Sequence, residues 1–439
     1  MKYAVSFFSG ALGLDLGLER AGFTTLAYCE KDAAAQATIR ANRPHAILFD
    51  DITTLTPDAI FARVNATRDG ASQLSASDIF LICGGPPCQS FSGAGKRAGF
   101  ADARGSLLLR YLELACAIAP QYILLENVRG ILSCTAPRST RVPSAHSLHN
   151  PGEQNTSSLH TSEADASAVD FVARFFRERN YTVSFNLYNT ANYGVPQCRE
   201  RFILIAHKQV PPAPPNPVPY MYPTHEQHPP TQNLRGGAER SPAQGGTQSR
   251  LLPWVTLGEA LSRIDPATVH EHLPLRADAA RFLRQLSAGQ NWRNLPLDQQ
   301  RAAMGNTNLD RGGCTGFYRR LALDRPCPTL VTSPTMRATS LTHPTADRPL
   351  SVQEYAAIQT FPPDFTICAS SSESPPSAKS TAEKYRQLGN AVPVLFAHAI
   401  GRTILAHHTN TSPAPLKKFA YSRYKHTSDR DHAKKKIKK

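Results

Sequence analysis

The stretch Ile79–Gly95 reads IFLICGGPPCQSFSGAG, and it decides the predicted fold. Residues Ile79–Cys83 form an apolar run of the length and composition of a buried strand. The glycine and proline pairs at 84–87 then end regular structure, and Cys88 follows at once. Open α/β sheets hold their ligands just beyond the carboxyl ends of the strands, so Cys88 is a candidate nucleophile. The alternative is an inert cysteine buried near a turn.

The amino-terminal segment predicts further strands whose ends carry candidate ligands. Lys2–Phe8 is typical of a strand, the glycine-containing turn 9–13 follows, and Leu14–Ala21 predicts a helix. This order is the opening of a nucleotide-type α/β fold. The second predicted strand ends at Glu30, whose carboxylate is placed either to accept hydrogen bonds from ribose hydroxyls or to serve the N-terminus of the next helix. The third predicted strand is followed by Asp51.

Two later segments bring a carboxylate and a pair of arginines to strand ends. Tyr122–Leu125 is typical of a buried strand, and Glu126 follows it. A carboxyl group in a site walled by apolar residues should have a raised pKa, and in its protonated form it can donate to a ring nitrogen. The alternative for Glu126 is a salt-bridged structural glutamate. Arg199 and Arg201 precede the next predicted strand, although such a charged sequence in isolation is usually a solvated turn.

In this order, over about residues 5–394, these motifs resemble those of the DNA cytosine-5 methyltransferases. The motifs are FFSGALG at 7–13, PPCQSFS at 86–92, ENV at 126–128, QCRER at 197–201 and QLGNAVP at 387–393. The resemblance implies an α/β, class I S-adenosylmethionine-dependent methyltransferase fold, in which a Rossmann-like mixed sheet flanked by helices carries a smaller inserted target-recognition domain. The implied reaction transfers a methyl group from S-adenosyl-L-methionine to C5 of a flipped-out cytosine in a specific double-stranded DNA sequence, through a covalent adduct of Cys88 with C6.

The resemblance also implies roles for individual residues. Glu126 would donate to N3 of the cytosine, Arg199 would hold its O2, and Arg201 would order the site. Leu12 stands where the family more often has glycine. The expected cofactor contacts are Phe8, Ser9, Gly10, Ala11, Gly13, Glu30, Asp51, Ile52, Pro86, Leu107, Asn390 and Val392. The expected DNA contacts are Gln89, Ser90, Lys96, Arg97, Arg319 and Arg337. We expect no metal ion.

Composition divides the chain into four parts. The region 207–347 is proline-rich and polar. The resemblance implies that residues 1–206 and 348–408 form the catalytic domain and that 207–347 is inserted as the target-recognition domain. Residues 135–168 are polar and without periodicity, which predicts a flexible insertion. The basic tail, 409–439, has no core-forming pattern, so we expect it to be disordered and to add non-specific attraction for DNA.

The net charge indicates which kind of partner the protein binds, and the cysteines indicate the cellular compartment in which it works. The formal net charge is +15, but residues 416–439 carry ten basic and two acidic side chains, so +8 of that charge lies in the tail. The remainder is modest support for a polyanionic partner. Nine cysteines without a Cys-x-x-Cys pair argue against zinc and disulfides and favour a reducing cytoplasm. We expect neither a signal peptide nor a membrane segment, since no apolar run reaches roughly 18 residues.

Three functions remain open on sequence alone. The first is a bacterial restriction–modification or solitary enzyme that acts as a monomer on double-stranded DNA, with any cognate restriction endonuclease acting separately on the same site. The second is a tRNA cytosine-5 methyltransferase, which the long region between Arg201 and Arg348 disfavours because RNA-acting relatives have a compact one. The third is a catalytically silent DNA-binding paralogue, and the presence of Cys88, Glu126 and both arginines counts against it.

Overall fold

The computed structural model describes residues 1–68, 72–87, 103–134, 139–143, 156–160, 167–208, 215–227, 251–304, 315–371, 374–416 and 419–437. Five candidate site residues lie outside these ranges, namely Cys88, Gln89, Ser90, Lys96 and Arg97. The described strands are β1 (Lys2–Phe7), β2 (Phe23–Cys29), β3 (Ile47–Phe49), β4 (Ile79–Gly84), β5 (Tyr122–Asn127), β6 (Ser139–Pro143), β7 (Thr156–His160), β8 (Tyr181–Asn189), β9 (Gln197–Cys198), β10 (Glu200–Lys208), β11 (His225–Glu226), β12 (Leu252–Pro253) and β13 (Cys327–Pro328). The described helices are α1 (Gly13–Ala21), α2 (Ala33–Asn42), α3 (Pro57–Ala66), α4 (Ala103–Ile118), α5 (Ala168–Arg177), α6 (Leu257–Leu261), α7 (Ala277–Leu283), α8 (Leu297–Met304), α9 (Val352–Ile358), α10 (Ala378–Asn390), α11 (Val394–His408) and α12 (Asp429–Ile437).

A mixed sheet of seven strands, counted over the described residues, forms the centre of the protein in the order β3-β2-β1-β4-β5-β10-β8. The strands from β3 to β5 are parallel, whereas β10 runs antiparallel to both of its neighbours, β5 and β8. Every residue of β4 is buried, as expected for a parallel strand that is covered on both faces. This architecture confirms the predicted α/β class with a Rossmann-like mixed sheet.

Alternate residues of the central strands face two different helix layers, because side chains along a strand point to opposite faces of the sheet. Ile123 and Leu125 of β5 belong to the core that includes α4 and α5. Leu124, between them, belongs to the core that includes α1 and α11. The sheet is therefore flanked by helices on both sides, and its parallel strands all end at one edge. Predicted ligand residues follow the ends of β1, β2, β3 and β4, at Phe8, Glu30, Asp51 and Pro86.

Helix α11, near the carboxyl terminus, packs along α1 at the distance of backbone contact. A Cβ atom on Gly17 would lie 2.3 Å from the Cβ of Ala397. A Cβ atom on Gly401 would lie 2.6 Å from the Cβ of Ala21. Both distances are too short for any side chain, so these glycines let the first helix and the last long helix form one layer of the same domain.

The stretch Ala378–His408, which contains α10 and α11, is long and apolar enough to cross a membrane when judged by length and composition alone. In the folded protein, 61% of the apolar 18-residue portion of this stretch is buried. Much of α11 is buried in the core that it shares with α1 and the sheet. The apolar character of this stretch is thus accounted for by packing inside the domain.

The described part of the region 207–347, which we term the smaller domain, has a small core of its own and a contact with α9 and α10. Phe282, Trp292 and Tyr318 belong to a separate cluster of buried side chains. Leu257 and Leu321, in contrast, share a cluster with side chains of α9 and α10. The smaller domain is therefore anchored on the C-terminal part of the chain as well as on β9, where β13 adds a short parallel pair.

The tail departs from the sequence prediction of disorder. Residues 419–437 pack against the edge strand β8 and end in the helix α12. The backbone N–H of Asn189 donates to the carbonyl oxygen of Tyr421 over 2.7 Å. The Tyr421 ring contacts the rings of Tyr188 and Tyr220. A few aromatic side chains supply the apolar contacts that the lysine-rich composition of the tail conceals.

Candidate active site

A buried ion pair lies at the carboxyl end of β5. Nε of Arg201 is 2.7 Å from Oε1 of Glu126, and the two residues are only 7% and 8% exposed. They meet because β10 runs antiparallel to β5, with Ile203 opposite Glu126. The structure thus places one of the predicted arginines, together with the predicted acid, at the edge where the parallel strands end.

The environment of Glu126 shifts the pKa of its carboxyl group upward. Burial raises the pKa of this carboxyl group, and the charge and hydrogen bond of Arg201 oppose that rise without cancelling it. The sequence predicts the same direction. A carboxyl group held in this way can donate a proton to an acceptor and take it back, while the guanidinium beside it fixes its orientation.

The loop that leads to Cys88 is tied to this ion pair through residues that carry no charge. A Cβ atom on Gly85 would lie 2.9 Å from Oε2 of Glu126, so the carboxyl group occupies space that only a glycine leaves open. Nδ2 of Asn127 donates to the carbonyl oxygen of Pro86 over 3.2 Å. The sequence alone marks Gly85 only as a strand breaker and assigns Asn127 no role. The sequence signal that could have identified them is their position, since Gly85 precedes Pro86 and Asn127 follows Glu126.

Arg199 is placed differently from its neighbour and from the sequence prediction. It is 1% exposed. Its Nη1 donates to the carbonyl oxygen of Leu330 over 2.9 Å, and its Nη2 donates to that of Gly389 over 2.7 Å. A Cβ atom on Gly389 would lie 2.6 Å from the carbonyl oxygen of Val331, so the two segments that Arg199 holds are in backbone contact. In this placement the two terminal nitrogens of Arg199 are engaged by backbone carbonyl groups.

Two buried glutamines complete the cluster around Arg199, which we term the hinge cluster (Gln197, Arg199 and Gln359). Oε1 of Gln197 accepts from the backbone N–H of Leu330 over 2.9 Å, and its Nε2 donates to Gln359 over 3.0 Å. Gln359 in turn donates to the carbonyl oxygen of Ala391 over 3.1 Å. The hinge cluster therefore joins β9, the chain leaving the smaller domain, and the end of α10. No sequence pattern points to Gln359.

The loop between β1 and α1 is held in a left-handed conformation at alternate positions. The φ angle is 56° at Phe8, 53° at Gly10 and 65° at Leu12. Left-handed backbone is costly for residues other than glycine, by about 1–2 kcal/mol. Leu12 adopts it while its side chain is buried against Tyr28 and Ile39, and this burial offsets the strain.

Glu30 ties this loop to the end of β2. Its Oε2 accepts from the backbone N–H of Gly10 over 2.8 Å, and its Oε1 accepts from that of Asp32 over 2.7 Å. Burial raises the pKa of Glu30, and these hydrogen bonds oppose the rise. Ser9 and Ala11 are buried, whereas a Cβ atom on Gly10 would meet nothing within 4 Å. The backbone at Gly10 therefore faces open space beside the carboxylate of Glu30.

Three further predicted cofactor residues are Asp51 and Ile52, which follow β3, and Leu107, which lies in α4. Nζ of Lys31 lies 2.8 Å from Asp51, and this hydrogen bond lowers the pKa of Asp51 to about 2. Ile52 is buried, and its carbonyl oxygen accepts from Nε of Arg110 in α4 over 3.2 Å. Leu107, in the same helix, is partly buried against the core that contains Ile52. An ionised carboxylate and two apolar side chains thus share one part of the sheet edge.

Asn390 and Val392 arrive at this edge from the other end of the chain. Asn390 ends α10 and is exposed, whereas Val392 is buried. A Cβ atom on Gly13 would lie 2.2 Å from the carbonyl oxygen of Val392. Because Gly13 opens α1 directly after the left-handed loop, this contact brings the late motif to the loop that Glu30 holds.

The two predicted DNA contacts that the structure describes lie in the smaller domain. The side chain of Arg337 is 59% exposed and pairs with Asp278 over 2.7 Å. Nε of Arg319 donates to the carbonyl oxygen of Ser340 over 3.2 Å. Arg320, next to it, is 4% exposed and donates to several backbone carbonyl groups, so its role is structural. Arg337 therefore presents the more exposed guanidinium.

A sheet of this strand order, with candidate ligands on its glycine loop and on the ends of β2, β3 and β5, defines a class I methyltransferase fold. The family model for C-5 cytosine-specific DNA methylases matches residues 3–142 and 155–406. The chain therefore belongs to the C-5 cytosine-specific DNA methylase family, and its reaction is methyl transfer to C5 of cytosine in DNA.

Individual relatives agree with this assignment. Type II methyltransferase M.PspPI of Psychrobacter sp. (strain TA137) is 32% identical over 403 residues, which cover 91% of this chain and 78% of that protein. Type II methyltransferase M.Sau96I of Staphylococcus aureus is 29% identical over 404 residues, which cover 92% and 75%. Among solved structures, a mutant of Spodoptera frugiperda DNMT2 has a TM-score of 0.53 at 15% identity, covering 92% of this chain and 100% of that one, and it supports the fold alone.

Proposed function

We propose that the protein methylates one cytosine within a specific double-stranded DNA sequence, and that Cys88, Glu126 and Arg201 act on the flipped-out base. The observation that supports this most is the buried Glu126–Arg201 pair, which lies against Gly85 just before the Pro-Pro-Cys sequence. A thiol, a proton donor and a guanidinium are the groups that activation of the cytosine ring requires.

The proposed reaction begins with the thiolate of Cys88. Its sulfur forms a bond to C6, the ring takes up the electron pair of the C5–C6 double bond, and Glu126 gives a proton to N3. C5 thereby becomes nucleophilic, as in an enamine. S-adenosyl-L-methionine supplies a methyl group on a sulfonium, which such a carbon can attack. After C5 has gained the methyl group, an ordered water molecule or a side chain takes the C5 proton, and the electron pair of that C–H bond restores the C5–C6 double bond. The sulfur leaves C6 with its electron pair as the Cys88 thiolate, and Glu126 takes the N3 proton back.

We assign the contact with cytosine O2 to Arg201 and not, as the sequence predicts, to Arg199. Arg201 lies beside Glu126, so it is near the base that Glu126 protonates. Arg199 is engaged by the carbonyl oxygens of Leu330 and Gly389. Its role in this proposal is to fix the hinge between the smaller domain and α10.

The residues at the glycine loop fit S-adenosyl-L-methionine. Glu30 holds the loop and remains near open space, where it would accept from the ribose hydroxyls. Asp51 and Ile52 would face the adenine, and Asn390 and Val392 would face the methionine moiety. Phe8, Ser9, Ala11, Gly13, Pro86 and Leu107 complete the proposed pocket.

We also propose the domain roles and the biological setting. Residues 1–206 and 348–408 form the catalytic domain, and residues 207–347 select the DNA sequence. Because its relatives are named Type II methyltransferases, the enzyme would protect host DNA in a restriction–modification system, as a monomer in the cytoplasm, with a cognate endonuclease acting separately. The seven cysteines that the structure describes are all free, in keeping with a reducing compartment.

Bisulfite sequencing of unmethylated DNA tests this function. The purified protein and S-adenosyl-L-methionine should leave conversion-resistant cytosines in one short sequence context, and Cys88→Ala should leave none while still binding that duplex. Protection in the Cys88→Ala sample at the wild-type rate would exclude this nucleophile. If the wild-type enzyme protected no cytosine in DNA but methylated tRNA, the substrate would be tRNA and not DNA.

A further inference from the structure

The segment 419–437, which we term the C-terminal strap, lies beyond the residues that the family model matches. We propose that the strap is a built-in phosphate-binding surface, which extends the active edge of the enzyme along the DNA backbone outside the target sequence. This inference rests on the proposed function, because it names a second contact surface for the same DNA.

The strap passes the edge of the sheet at residues adjacent to the active-site ion pair. Glu200, the residue before the site arginine, accepts from the backbone N–H of Arg423 over 3.4 Å. Nε of Arg423 lies 3.7 Å from the same carboxylate. The guanidinium of Arg129, three residues after the site glutamate, lies 4.1 Å from the centroid of the Tyr424 ring. The strap therefore lies beside the chain segments that carry Glu126 and Arg201.

The strap is fixed to the domain along its length. Its start is bound to the end of β8 through Tyr421, as described above. Tyr220 donates a hydrogen bond to Asp429 at the beginning of α12. Further along, the ring of His432 lies 5.3 Å from that of Phe185 and 3.9 Å from the carboxylate of Asp170. A surface that is already ordered loses less conformational entropy on binding than a disordered tail does.

The outward side of the strap is cationic. Its two acidic residues are engaged within the protein, since Asp429 accepts from Tyr220 and Asp431 accepts from Ser428 over 2.7 Å. The exposed cations that the structure describes are Arg423, Lys425, Arg430 and Lys434. Cationic side chains along a polyanion release counterions and bind phosphates without reading bases. The strap is thus suited to strengthen binding to any duplex.

The salt dependence of DNA binding tests the proposal. The variant Arg423→Gln/Lys425→Gln/Lys434→Gln should bind the target duplex and an unrelated duplex more weakly by the same factor, at least about threefold. The slope of log K against log salt concentration should fall by about 1 for each phosphate that the variant no longer neutralises. Methylation at saturating DNA should proceed at the wild-type rate, because none of these residues touches the base. Fluorescence anisotropy of a labelled duplex at several salt concentrations measures both quantities.

A matched variant, Arg20→Gln/Arg40→Gln/Arg402→Gln, removes three exposed cations outside the strap and should leave the slope unchanged. Lys425→Gln/Lys434→Gln keeps the contact with Glu200 and should still lower the slope. Wild-type slope and affinity in both strap variants, with wild-type methylation, would overturn the proposal while leaving the proposed function intact. Absence of methylation by the wild-type protein would instead remove the function on which it rests.

Discussion

Arg199 and Arg201 are separated by one residue, yet they belong to two regions that use a buried guanidinium in different ways. At the edge of β5, Arg201 faces the carboxyl group of Glu126. At the hinge cluster, Arg199 faces the carbonyl oxygens of Leu330 and Gly389. A carboxyl partner can gain and lose a proton during a reaction, whereas a carbonyl partner cannot. The partner of a buried guanidinium, and not the degree of its burial, therefore separates a reactive charge from a structural one.

The largest effect should come from Glu126→Gln, which keeps the shape of the acid and removes its proton. We expect kcat to fall about 10²- to 10³-fold, since general acid catalysis typically contributes 10²- to 10⁴-fold. Binding of S-adenosyl-L-methionine, measured by calorimetry, should change little. An equal loss of cofactor affinity would place Glu126 among the structural charges and end the contrast between the two regions.

Arg201→Lys should give the next largest effect. The charge remains, but the planar fork that fixes both a carboxylate and the base is lost. We expect kcat to fall about 10²-fold, as for the loss of one stabilising donor, with a melting temperature close to that of the wild-type protein. Single-turnover methylation of the duplex and thermal unfolding measure the two quantities.

Arg199→Lys should show the opposite pattern. A lysine cannot hold two carbonyl groups on separate segments, so buried acceptors lose their partner. We expect the free energy of unfolding to fall by about 3 kcal/mol, while kcat per folded molecule stays within a few-fold of the wild-type value. A stable Arg199→Lys protein with a large loss of kcat would support the sequence assignment to cytosine O2.

The class of fold and the strand ends are predictable from the sequence, because buried runs such as Ile79–Cys83 and motif order carry that information locally. The sequence does not distinguish Arg199 from Arg201, since their partners, on β5 and α10, are distant along the chain. It marks Leu12 as a departure from glycine but does not show that burial of the side chain offsets a φ of 65°. The packed strap is not predictable from composition, because a few aromatic contacts outweigh the lysine-rich character of the tail.

Asp15 offers the smallest and most controlled test of the comparison. It is 1% exposed in α1, and burial raises its pKa from 3.8 to about 7. The folded state therefore binds the proton more tightly than the unfolded state, so this stabilisation is complete below about pH 4 and is lost as the pH rises through 7.

The variant Asp15→Asn removes this pH dependence of the stability. Its free energy of unfolding relative to the wild-type protein should increase by roughly 2–3 kcal/mol between pH 5 and pH 8. Urea unfolding at both pH values measures this difference. A constant offset would mean that Asp15 stays ionised in the fold across this pH range and that burial does not raise its pKa to about 7.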